Sequence, residues 1–435
     1  MYLSMSLNRL ISILNWLFVL FPISFIVGNS AINLHFVLFI LFGCIYLTKK
    51  KIKFEYNFLI LTFLFFCIAL IISSLLNQFN IDKSFFYLRF LAFYYICFYL
   101  LKEKIFRLDL IFYYYAIIVA VISLDLIIQY FFGYNIIGLK INELGPTSFF
   151  QVEKIAGSFV QNFGFYLVFI IFSKFNKNNF YTIILKSFLV SLVSISIFIS
   201  FQRIPMVIWI FFLTIYGMVY YKSKLIPILL SFAILTLFIS NFSSKEIVES
   251  YTSFFDNAKD ISSRTFKNYN TIKNKELFEE IKKDEIKVTN FESGSGHASL
   301  YANAFYIWED NKILGIGYKN FYNNCIKKKL TRCTTHPHNY YLDILVTTGL
   351  VGLIILITYL IILFTKVIYS LRINIKDKSQ KKFDILIIAF INFLMFFFPL
   401  KSSGSFFTTS NSTYMIITLV ILLSQLRIIN SKKVY

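Results

Sequence analysis

The stretch Thr335–Leu353, THPHNYYLDILVTTGLVGL, carries a polar, histidine-bearing segment straight into a long apolar run. That reading sets His336, His338 and Asn339 at the mouth of a membrane-spanning helix. The chain has only four histidines. Two of them one residue apart at such a boundary point to chemistry, the bland alternative being a hydrogen-bonded helix cap. His338 precedes Asn339 and the helix, so its side chain is expected to project from the first turn toward a cavity between spans. Pro337 holds His336 one residue behind it, and Gly349 and Gly352 allow a neighbouring helix to approach closely.

The composition extends the membrane reading to the whole chain. Of 435 residues, 57% are hydrophobic and 15% charged, with 54 Phe and 29 Tyr, far from the usage of a soluble domain. Apolar runs of about 17–25 residues, enough to cross roughly 30 Å of hydrocarbon as helix, begin near Leu10, Ala31, Phe58, Ser84, Asp109, Ser158, Phe180, Ile204, Leu225, Tyr340, Phe383 and Tyr414. The expected fold is all-α and polytopic, with about twelve transmembrane helices. Arg9 precedes the first run and no small-residue cleavage site follows it, so it reads as a retained helix.

The net charge of +21 follows topology and gives no clustered basic patch for nucleic acid. Alternate short connections hold Lys49, Lys50, Lys51 and Lys53; Lys102, Lys104 and Arg107; Lys174 and Lys177; Lys222 and Lys224; and Lys366 to Lys382. Arg427, Lys432 and Lys433 close the series, while the opposite connections hold only Lys83, Lys140, Lys154, Arg203 and Lys401. This positive-inside pattern puts both termini in the cytoplasm. It divides the chain into helices 1–9 (residues 1–241), one large extracytoplasmic loop with amphipathic helices (242–339), and helices 10–12 (340–435).

Within the large loop, KNKELFEEIKKDEIKV from Lys273 has a solvated helical pattern. LYANAFYIWED from Leu300 places Leu300, Ala304, Ile307 and Trp308 at helical spacing, on the membrane surface or against the spans, and Gly315 and Gly317 end it in a turn. A smaller outer loop runs from Tyr134 to Gly157. Cys325 and Cys333 flank the basic KKKLTR segment; an oxidising compartment permits a disulfide, and two free thiols are the alternative. His/Cys spacings of a zinc site are lacking.

Two arginines stand out. Arg89 lies inside the fourth run, where a cation costs about 2.5–3.5 kcal/mol to insert, with snorkelling or an ion pair to Asp125 as structural explanations. Arg203, in the short connection before the eighth run, sits at the outer interface, where a single arginine often serves as an anchor. With the histidines, these guanidiniums fit an anionic, lipid-linked substrate, because arginine matches phosphate oxygens and imidazole accepts a proton near neutrality.

These motifs resemble those of the O-antigen ligase and polymerase superfamily, which also contains protein O-oligosaccharyltransferases. HPHNYYLDILVTTGLVGL from His336 is similar to the family's histidine–asparagine signature and paired glycines. ASLYANAFYIWEDNKILGIGYKNF from Ala298 resembles its helix and glycine turn, with Gly315, Gly317 and Phe321. FQRIP with Arg203 resembles the arginine before the large loop, and KIAGSF from Lys154 the motif after the smaller one. The resemblance implies a cofactor-free, metal-independent glycosyltransferase of the bacterial inner membrane with its active site facing the periplasm. Its donor is a glycan on undecaprenyl diphosphate; its acceptor is lipid A-core for a ligase, another glycan for a polymerase, or a protein side chain. Membrane lipids are further partners, and nucleic acid is none. By the resemblance His338 is the base or substrate-orienting residue, Arg203 and Arg89 grip the diphosphate, and Asn339 and His336 lie in the substrate site. Two family arginines are replaced here, by His297 and Lys154, and Arg264 is the candidate for the missing guanidinium. The rival class is a transporter, which would need related halves and broken helices; the sequence predicts neither.

Overall fold

The computed structural model describes residues 6–52, 58–142, 145–151, 153–175, 179–220, 224–281, 296–376, 380–401 and 404–430. Helix makes up 80% of it, and the only β-pairing among the described residues is two isolated bridges in the smaller loop. The order is α1 (Leu7–Val27), α2 (Asn29–Lys49), α3 (Phe58–Leu76), α4 (Ile81–Phe86), α5 (Arg89–Lys102), α6 (Leu108–Phe132), α7 (Ala156–Lys174), α8 (Phe180–Ile199), α9 (Arg203–Val219), α10 (Leu225–Phe242), α11 (Lys245–Lys259), α12 (Ile261–Ile281), α13 (Gly296–Asp310), α14 (Phe321–Lys327), α15 (Tyr340–Lys376), α16 (Gln380–Phe396) and α17 (Thr409–Asn430).

Every apolar run read from the sequence is helical, with α4 and α5 sharing the fourth. Among the described residues, ten helical units are long and apolar enough to cross a membrane. The other two, α9 and α16, have 17 residues each, about 25 Å of helix at 1.5 Å per residue, less than a typical hydrocarbon core. The protein is an integral membrane protein built on multiple apolar helices. The pattern from Lys273 is helical to Ile281; its remainder, and Lys53, Lys177, Lys222, Lys378, Lys432 and Lys433, lie outside the described residues.

Large aromatic side chains fill the bundle. Phe18, Phe36, Phe39 and Phe93 are fully or almost fully buried, and their rings meet between α1, α2 and α5 at centroid separations of 4.8–6.2 Å, the range of favourable tilted and edge contacts. At the end opposite the histidines, Lys224 Nζ pairs with Asp384 Oδ1 at 3.2 Å and donates to Tyr216 OH at 2.9 Å, so that buried cation has partners on two sides.

Two spans are broken, contrary to the expectation of continuous helices. Between α4 and α5 the chain tightens into successive i to i+3 bonds, including Tyr87 N to Ser84 O and Phe90 N to Tyr87 O. In α15, Gly349 has φ 65° and ψ −163°, a conformation essentially restricted to glycine. The Gly315–Gly317 turn fills this gap with its own backbone. Ile316 N donates to Val346 O and Gly317 N to Thr347 O, while Leu350 N and Val351 N donate to the carbonyls of Lys312 and Ile313. Carbonyls and amides freed by the break are thereby paired again, as a broken helix in a bundle requires. A break of this kind is invisible in hydropathy, because the residues on both sides are apolar.

Helix α13 packs on α12 and α15. Leu300, Ala304 and Ile307 are buried with Ile316, Phe321 and Val346, and Trp308 packs against them. The face read as amphipathic is therefore covered by protein.

Candidate functional site

Asn339 opens α15 as its N-cap. Its Oδ1 accepts from Tyr341 N at 3.0 Å and Leu342 N at 3.2 Å, and its Nδ2 donates to Pro399 O at 2.8 Å. Capping satisfies amides that an unpaired helix start leaves open, so this asparagine fixes where the helix begins and ties it to the α16–α17 connection. The turn before it is reversed by His338 itself, which has φ 57°. That left-handed residue folds the imidazoles together. The His336 and His338 rings are 4.2 Å apart, and His297, the second residue of α13, lies 5.6 Å from His338 edge to face. His297, about forty residues earlier in the chain, thus joins His336 and His338 in one cluster. The fourth, His35, stacks on Phe21 at 4.2 Å and contacts Leu17 O, a packing role.

Cations adjoin this cluster. Arg203 is the first residue of α9, with Nη1 donating to Ser250 O at 3.3 Å and its guanidinium 5.8 Å from the Phe254 ring of α11. Burial first, then the charges of His338 and Arg203, push the His297 imidazole below its ordinary value, and its buried Nδ1 has no hydrogen-bond partner among the described residues. Lys154 is drawn in by Gln202. The Gln202 side chain donates to Lys154 O at 2.6 Å and accepts from Ser158 N at 2.8 Å, and Gly157 leaves no room for a Cβ beside Ser200. Burial and the neighbouring Arg203 lower the Lys154 ammonium. His297, His336 and His338 therefore share one site with the cations Arg203 and Lys154.

Arg89 has different company. At the α4–α5 break its Nη2 donates to Thr409 Oγ1 at 2.9 Å, and its guanidinium lies 4.3 Å from the Phe86 ring and 5.0 Å from that of Phe90. Its electrostatic neighbours are Tyr318 and Tyr87. The structure thus places Arg89 in a second cationic position, together with Lys319, which feels its charge. The suggested Arg89–Asp125 ion pair does not form: Asp125 accepts instead from Ile136 N at 2.8 Å and Ser148 Oγ at 2.5 Å, holding the smaller loop. Arg264 is engaged locally, with Asn257 at 2.9 Å and Asp260 at 3.7 Å.

Two residues enter that the sequence did not single out. Arg332 Nη1 lies 3.7 Å from where a Cβ on Gly296 would stand, next to His297. Its backbone is fixed on both sides: Asn303 Nδ2 donates to Thr331 O at 2.8 Å, and Cys333 is joined to Cys325 in a disulfide with a Cα–Cα distance of 5.7 Å. The sequence signal for Arg332 is its position between the two cysteines. Lys401, two residues past Pro399, is buried, donates to Asn162 Oδ1 at 3.0 Å and is pushed down to about 7 by burial.

Residues 188–357 match the family model described as O-antigen ligase, a span that includes Arg203, His297, Arg332, His336, His338 and Asn339 and leaves out Arg89 and Lys154. No curated protein sequence matches the chain. This match over residues 188–357 supports placing the chain in the O-antigen ligase superfamily.

Proposed function

We propose that this protein is an O-antigen ligase, transferring a glycan from undecaprenyl diphosphate to a hydroxyl of lipid A-core at the periplasmic face of the inner membrane. The observation that carries the reading is the convergence of His297, His336 and His338 beside Arg203. His338 takes the proton as the acceptor oxygen bonds to the anomeric carbon. The bond from that carbon to the diphosphate oxygen breaks, and its electron pair leaves with the diphosphate. Arg203, Lys154 and Arg332 hold this growing charge in fixed positions, a form of stabilisation that ranks among the largest in catalysis. The diphosphate is a good leaving group, so the reaction needs no metal and no covalent intermediate.

Arg89, grouped with Lys319 and Thr409 at the broken span, is a second cation available to the diphosphate. The positive-inside pattern supports the periplasmic orientation.

The test is transfer by purified protein in nanodiscs. His338→Ala is expected to lower kcat by about 10²–10⁴-fold, with the donor KM little changed. An unchanged kcat removes the base from the mechanism. A polymerase would give a ladder of repeats on a carrier-linked acceptor in the same assay. The breaks in α4–α5 and α15 favour a second reading, transport, since broken helices form substrate sites in transporters; covalent product excludes it.

A further inference from the structure

Between α12 and α13 runs a groove of about 560 Å³ lined by Phe266, Tyr269, Tyr301, Phe305, Trp308 and Glu309. Its α13 wall continues the row that starts at His297: residues 297, 301, 305 and 308 recur at helical spacing, and the Tyr301 ring lies 6.2 Å from that of His297. Tyr301 thus joins the groove to the imidazole cluster, and the row from His297 to Trp308 runs about 16 Å along the helix.

We propose that this groove binds the saccharide chain of the acceptor, an inference that rests on the transferase reading and specifies the substrate's path. The chemistry of the lining selects the occupant. Flat aromatic faces pack against the C–H faces of sugar rings, and Glu309, which already accepts from Tyr269 OH, offers acceptors to sugar hydroxyls. Glu309 is paired with Lys273 at 3.7 Å, so the wall presents a compensated ion pair in place of the cations a diphosphate takes, which are Arg203 and Lys154. The connection to the site passes through the imidazoles, so the chain seated here is the one whose hydroxyl meets His338. Phe266 is 67% and Phe305 38% exposed, a solvent-facing aromatic pair of the kind that marks a binding surface and can be replaced without opening the core.

The experiment uses full-length protein in nanodiscs and the lipid-free core oligosaccharide as probe, read by saturation-transfer NMR and by steady-state kinetics. In Phe266→Ser and Phe305→Ser the saturation transfer is expected to fall and the acceptor KM to rise about ten-fold, with kcat and donor KM unchanged. An unchanged acceptor KM, or a shift in donor KM instead, overturns the proposal. So does protection of α12 and α13 from hydrogen exchange that depends on bilayer lipid and not on saccharide, or a variant that changes oligomeric size by light scattering, results that give the groove to the membrane or to a second copy. Probe binding needs no turnover. If His338→Ala transfers normally while still binding the probe, the mechanism fails and the groove stands; if wild-type transfers normally without binding the probe, the reverse holds.

Discussion

Replacing Gly349 by alanine tests how the site is held in place. An added Cβ would stand 2.2 Å from Ile313 O and 2.5 Å from Leu314 N, both backbone atoms that no rotamer change can move. The residue also needs φ 65° and ψ −163°, which costs a non-glycine residue about 1–3 kcal/mol. Expelling the Gly315–Gly317 turn further loses the four backbone bonds across the break, each worth about 0.5–1.5 kcal/mol. The combined cost is about 3–9 kcal/mol, so the midpoint of thermal unfolding in detergent is expected to fall by at least about 3 °C. Gly217→Ala is the control. Its methyl comes nearest the side-chain ends of Ile228 and Leu225, at 3.2 and 3.3 Å, and the gain in helix propensity of about 1 kcal/mol offsets that adjustment, so its midpoint stays within about 1 °C of wild type. Transfer activity should follow the same order, because the segment Tyr340–Thr348 carries the capped end next to His338. Equal midpoints for the two variants would refute the interlocked break.

Asp384→Ala leaves Lys224 buried without its carboxylate and is expected to cost about 3–5 kcal/mol, measured by the same thermal unfolding. Arg332→Ala removes a guanidinium from beside His297 and should raise the donor KM about ten-fold or more, the loss of a charge-assisted contact, while Arg264→Ala leaves it unchanged; equal effects would mean that Arg332 does not reach the diphosphate. His297 titrates below its ordinary value of 6.5 because of burial, then the charges of His338 and Arg203. The unfolded chain therefore takes up this proton first, so the contribution of neutral His297 is fully present above about pH 6.5 and is lost as pH falls through the lowered folded value. His297→Gln should flatten that acid-side loss in unfolding midpoints measured between about pH 5 and 7.5.

The apolar runs were readable because a helix in lipid must satisfy its own backbone and present apolar side chains throughout, and each run is helical here. The histidine boundary was readable for a related reason, since polar residues stop a span sharply. What escaped depends on tertiary placement. Gly349 and the Gly315–Gly317 turn were visible as glycines, yet their mutual insertion joins backbones that are over thirty residues apart. Arg89 and Arg203 both sit near span ends, and only packing sends one to Thr409 and the other to the imidazoles. Arg264 is a guanidinium of the large loop by sequence alone, but Asn257 and Asp260 occupy it, whereas Arg332 is held beside His297 by the Asn303 bond and the disulfide. The two short helices α9 and α16 read as full spans because composition reports polarity more reliably than length.

The most direct test of the central claim is the stoichiometry of product in detergent solution, where no compartments exist. Purified protein is given glycan-labelled undecaprenyl diphosphate and lipid A-core, and both freed carrier and labelled acceptor are measured by mass spectrometry. The account predicts one freed undecaprenyl diphosphate for each new glycosidic bond, and loss of both products in His338→Ala. Absence of labelled acceptor from active wild-type protein that moves the intact donor across sealed vesicles would contradict it.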